Sequence, residues 1–125
     1  MAKWSLDANM DAMLANIAQS DMLHVCSGQP ANFAGIAAVM LAEVALTAGA
    51  GNGDYTLANG DTSGRKLTVA AQSAVSITNS GTATHIALSD GSATLYYVTT
   101  CTSQALTSGG TVDVPAFDIE VADPS

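Results

Sequence analysis

The chain predicts a mainly β protein: a compact antiparallel β-sandwich or barrel with one amphipathic helix at its N-terminus. Three observations lead there. Apolar and polar residues alternate through most of the segments after Gly64, the period of half-buried strands. Clusters of Gly, Asn, Asp and Ser separate those segments at hairpin-like intervals. The composition is 48% apolar but only 5% aromatic, so the core is built from Ala, Val, Leu, Ile and Met. With 125 residues the chain reads as one domain, residues 1–20 forming a helix packed on a β body of residues 21–125.

Taken in order, Ser5 to Ala18 carries helical spacing, with Leu6, Met10, Met13, Leu14 and Ile17 on one stripe. Ser5 is the expected N-cap and Asp7 suits the first turn. The stripe is expected to pack on the sheet, the alternative being a neighbouring subunit. Met22 to Ser27 reads as a strand, ended by Gly28-Gln29-Pro30. Phe33 to Leu46 is either a helix, by its Ala, Met, Leu and Glu content, or one helical turn at 32–36 followed by a strand over 39–47. Loop signals at 49–54 and 59–64 bracket a short Tyr55-Thr56-Leu57 piece. Strands follow at 65–69, 74–78, 84–88, 95–98, 112–114 and 117–121, with turns at 79–81, 90–92 and 107–110.

The charge is one-sided: 11 acidic residues against Lys3, Arg65 and Lys66, net −8. Phosphate backbones and anionic membrane surfaces both require clustered cations, so nucleic-acid and membrane partners are disfavoured. The N-terminus lacks the apolar core of a secretory leader. The longest apolar run, about 14 residues containing Glu43, is shorter than a spanning helix of roughly 20. The expectation is a soluble protein made in a cytoplasm. A net negative surface also fits docking against a basic patch on a partner.

Chemistry-bearing residues are few. His24 and Cys26 share a strand face, and His85 and Cys101 lie in later strands. Zinc signatures bring ligands in close pairs on turns, and only the first pair here is close, so no metal is expected. A Cys–His nucleophile would need a third group to orient the imidazole, and no residue pattern marks one. The cysteines read as buried thiols, with a disulfide as the lesser alternative. The glycine-rich 49–53 loop lacks the Gly-Lys-Ser/Thr ending of a phosphate loop. Asp54, Asp61 and Asp90 sit in loops where Asp bonds its own backbone, a commoner role than calcium binding. Asp118 and Glu120 alternate with Phe117, Ile119 and Val121, the pattern of a solvated face over a buried one. No catalytic residue and no cofactor are expected. Trp4, Tyr55 and Tyr97 are the candidate interface aromatics.

Met22–Ser27, Gly64–Ala70, Gly81–Leu88, Leu95–Thr100, Ser108–Val112 and Phe117–Pro124 together resemble a family of small structural proteins of tailed bacteriophages. The likeness spans nearly the whole chain in order and lies in overall pattern, not in a catalytic motif. The Ala-rich 33–46 segment departs from the more polar version of the family, and the resemblance favours turn plus strand there. It implies a non-enzymatic virion protein, foremost a capsid decoration (cement) protein that contacts the major capsid protein and copies of itself. A tail, collar or fibre-associated position is the alternative. From another class, a carbohydrate or host-surface binding module would need exposed aromatics, of which this chain has few.

Overall fold

The alternating segments form antiparallel strands, and the protein is mainly β. The computed structural model describes residues 6–51, 53–61 and 63–121. In chain order the elements are α1 (Asp7–Ile17), β1 (Met22–Cys26), α2 (Phe33–Val39), β2 (Met40–Ala45), β3 (Tyr55–Asn59), β4 (Arg65–Val69), β5 (Gln72–Ser76), β6 (Gly81–Ser89), β7 (Leu95–Leu106), β8 (Thr111–Val114) and β9 (Phe117–Val121). They gather into two compact units, and the 21–125 stretch contributes to both.

The first unit contains α1 and a three-stranded sheet in the order β3-β4-β9. Its register pairs Tyr55 with Val69, and Leu67 with Leu57 and Ile119, so these side chains share one face. Tyr55, Leu67, Val69 and Ile119 are buried, and α1 packs on β4 with Met10, Leu14 and Ile17 buried. Each such side chain stabilises the fold by about 1.5–3 kcal/mol. Arg65 ties helix to sheet, donating from Nε to Asp11 Oδ1 at 2.8 Å and from its guanidinium to Asn59 Oδ1 at 2.8 Å. The opposite face is polar. Lys66 meets Asp61 at 2.8 Å and Asp118 at 3.4 Å, and Thr68 donates to Asp118 at 2.7 Å. Asp118 and Glu120 therefore occupy a solvated face beside buried Ile119. At the β3–β4 turn, a side chain on Gly60 would collide with the Ser63 carbonyl oxygen, which requires glycine there.

Two details of the helix differ from expectation. Its N-cap is Leu6, in extended backbone with no side-chain cap, whereas the expected cap Ser5 lies outside the described residues. Leu6 and Met13 are 50% and 53% exposed. Leu6 precedes the helix, and Met13 lies at the margin of the stripe centred on Met10, Leu14 and Ile17.

The second unit holds a four-stranded antiparallel sheet, β2-β1-β6-β7, and the two-stranded ribbon β5-β8. The ribbon joins the sheet through an Ala42–Ile77 bridge, while the Thr78 and Asn79 amides both donate to the Leu41 carbonyl. β1 is central, so Leu23, His24, Val25 and Cys26 are all buried, on both faces. The 33–46 segment resolves into α2 followed by β2, close to the turn-plus-strand alternative; the helix extends to Val39. Asn32 caps α2, its Oδ1 accepting from the Gly35 amide at 2.9 Å. β7 runs 12 residues, well beyond the 95–98 expected, because its Thr- and Ser-rich second half has no apolar alternation to reveal it. It pairs only with β6 among the described residues, leaving its other edge open.

Candidate functional site

The site is built on one face of β1. In an antiparallel ladder, directly opposed residues project to the same side. Met22 opposes Ser89 and Ala45, and His24 opposes Glu43. These five therefore share a face, and α2 covers part of it. Between helix and sheet lies a cleft of about 590 Å³ with an apolar wall that includes Phe33, Ile36 and Met40. Three carboxylates line it as well: Asp21, Glu43 and Asp90.

His24 anchors the floor. It is 4% exposed, and its Nε2 lies 2.7 Å from Ser89 Oγ. Its Nδ1 lies 3.1 Å from Glu43 Oε2, an ion-pair contact that favours the protonated ring. Burial pulls the His24 pKa below its ordinary value, and the Glu43 charge opposes that pull. Ser89 Oγ also accepts from the Gly91 amide at 3.1 Å. Carboxylate, imidazole and hydroxyl thus stand in the order of a hydrolytic triad. Ser89, however, has no exposed surface and both its contacts are occupied, so its hydroxyl orients the ring and does not face the cleft.

Asp90 shapes the rim. Its Oδ1 accepts from the amides of Ser92, Ala93 and Thr94 at 2.8–3.0 Å, which holds the β6–β7 turn and keeps the carboxyl well below the usual carboxylate range. Asp54 serves its own loop in the same way, its Oδ2 accepting from the Thr47 amide at 2.6 Å. Asp61 pairs with Lys66.

The other expected site residues are distributed as follows. Trp4 lies outside the described residues. Tyr55 is fully buried in the core of the first unit, which corrects its expected role as an interface aromatic: β3 turns it toward the helix-covered face. Tyr97 is half-buried on β7. His24 and Cys26 do share a face, and Cys26 opposes His85 on β6. Both cysteines are free thiols. Burial, and then the charge of neighbouring Cys101, push Cys26 up to about 11; burial also raises Cys101. Neither thiol is poised as a nucleophile at neutral pH. Among the described residues no three His, Cys, Asp or Glu side chains are grouped to hold a metal ion.

Sequence reasoning singled out His24 but not Glu43 or Ser89 as its partners. The available signal was a lone Glu within an apolar run and a lone His within an apolar strand. A charged imidazole is costly when buried alone, and the half-exposed Glu43 carboxylate beside it offsets part of that cost. No protein-family model, curated protein or solved structure matches the chain.

Proposed function

We propose that this protein is a structural component of a tailed-phage virion, acting as a capsid decoration protein through contacts with the major capsid protein and with its own copies. The resemblance described above supports this reading, and the observation that carries it is the open edge of β7. Natural sheets blunt exposed edges with Lys, Pro or very short strands. β7 runs 12 residues, Leu95 to Leu106, without a charge or a proline, in a chain of net charge −8, and its exposed part lies between Thr100 and Ala105. Thr100, Thr102, Ser103, Gln104 and Ala105 are exposed along it. Such an edge is suited to accept a strand from another chain, where backbone hydrogen bonds supply affinity. Repeated over many copies, a modest contact sums to firm attachment. An acidic body with few cations fits a shell protein that avoids nucleic acid.

The test is quantitative recovery with purified particles. Decoration predicts a copy number comparable to the capsid protein; a tail or collar position predicts far fewer copies. A Thr102→Lys, Gln104→Lys double variant places charge on the open edge and is expected to lower occupancy while the thermal midpoint stays unchanged. Absence of the chain from purified particles would overturn the proposal.

A further inference from the structure

We infer that the open edge of β7 pairs antiparallel with β7 of a second copy of this chain, across a two-fold axis normal to the sheet. The second copy is the strand that this edge accepts, and its place in a virion rests on the assembly reading. Among the described residues β7 differs from every other edge strand. β2 carries Glu43, β8 carries Asp113, and β9 carries Asp118 and Glu120. β3 and β5 span five residues each, and β5 is bent by the left-handed backbone of Ala74, φ +54°. β7 alone is both long, at 12 residues, and free of charge, within a stretch from Gly91 to Val112 that holds no Asp, Glu, Lys or Arg. A like copy accounts for that bare edge. Across a two-fold axis each residue meets its own counterpart or a near neighbour of it, so an acid on the strand would face an acid, and opposed like charges destabilise. With 11 acidic residues in the chain, two copies meet with least repulsion where none stands. A basic strand from another protein would be met better by an acidic edge, which β7 does not offer.

The register places the seam. An axis normal to the sheet keeps each face on its own side, so directly opposed residues must share a face. Thr100 and Gln104 meet that condition, because they pair with His85 and Ala83, two apart on β6. An axis through Thr102 then sets Thr100 opposite Gln104 of the partner subunit. Between the two, Cys101, Thr102 and Ser103 stand against Thr84 alone, a bulge that bends the strand and keeps the seam short. Thr100, Thr102, Ser103, Gln104 and Ala105 are the exposed residues of β7, so the seam covers what the sheet leaves bare. The pairing also closes. It joins two four-stranded sheets into one with β2 at each end, and β2 is already tied to the β5–β8 ribbon through the Ala42–Ile77 bridge and the Thr78 and Asn79 amides. No second bare edge of that sheet is left to extend it, so the product is a dimer and not a filament.

Sedimentation equilibrium of the full chain, at concentrations up to about 1 mM, measures the pairing. The unaltered chain is expected to form dimers and nothing larger. A Thr100→Lys, Gln104→Lys double variant sets lysine against lysine across the seam, and Thr100→Glu, Gln104→Glu sets acid against acid. Each alone should dimerise roughly tenfold or more weakly. An equimolar mixture of the two should recover the dimer, since lysine then meets glutamate, and only pairing of this strand with itself gives that rescue. If either double variant fails to fold, Thr102→Lys and Thr102→Glu, on the axis itself, replace the pair. A chain that stays monomeric at the highest concentration overturns the inference. So do growth beyond the dimer, full dimerisation of either charged variant, and failure of the mixture to recover. Particle recovery is scored separately. A chain that occupies heads but stays monomeric refutes the pairing and spares the assembly reading; a chain that dimerises with charge rescue but is absent from particles refutes only the assembly reading.

Discussion

His24 is subject to two opposed forces at a single residue. Burial favours the neutral ring, Glu43 favours the charged one, and burial is the larger. The other ionisable groups lining the same cleft, Asp21 and Asp90, are acidic, and α2 brings no charge to it. Because the folded-state pKa lies below the unfolded value of about 6.5, the unfolded chain takes up a proton first as pH falls. The stability held by neutral His24 is therefore present above about pH 6.5 and lost as pH falls toward and through the folded pKa. Thermal midpoints measured from pH 7.5 to 5.5 should decline, and the decline should flatten in His24→Gln. Ala74 offers a second test at this scale. Its φ is +54°, a left-handed conformation that costs a side-chain-bearing residue about 1–2 kcal/mol, and its amide donates to Asp113 Oδ1 at 2.8 Å. Glycine relieves the strain but loosens the unfolded chain by about 0.5–1 kcal/mol. Ala74→Gly should thus raise stability by roughly 0.5 kcal/mol in denaturant titration; a clear loss would show that the backbone there is not strained.

For the helix, spacing named five stripe positions, and packing buries only three. Leu14 has no exposed surface, so Leu14→Ala should cost about 2–5 kcal/mol. Met13→Ala, at a position 53% exposed, should shift stability by no more than about 0.5 kcal/mol. Chemical denaturation of the two variants compares them directly, and similar losses would mean that Met13 is covered in solution. Strand register was more legible than helix width. The 65–69 and 117–121 segments were bounded correctly, because alternation of Leu67 and Val69, and of Ile119, with polar neighbours admits one inward face. The second half of β7 was not legible, since Thr, Ser and Gln on an edge strand carry no inside–outside contrast.

Across the whole molecule, charge is the property that reaches furthest. On the proposed decoration role, a chain of net −8 docked on basic surfaces should bind a particle less firmly as salt rises, exposed pairs being screened over about 8 Å at physiological ionic strength. Stripping purified particles at increasing sodium chloride should release it progressively; release indifferent to salt would assign attachment to the uncharged β7 edge alone.

Composition and alternation alone determined that this chain is mainly β with an N-terminal helix, because the period of apolar residues is a local property that each segment carries by itself. They also placed His24 and Cys26 together on one face of a strand. Only the tertiary structure decided that Glu43 and Ser89 become the partners of His24, that Tyr55 turns inward, and that a cleft opens beside α2. Those facts depend on which strands lie side by side and in what register, and pairing joins residues as far apart as His24 and Ser89, whose proximity no local pattern records.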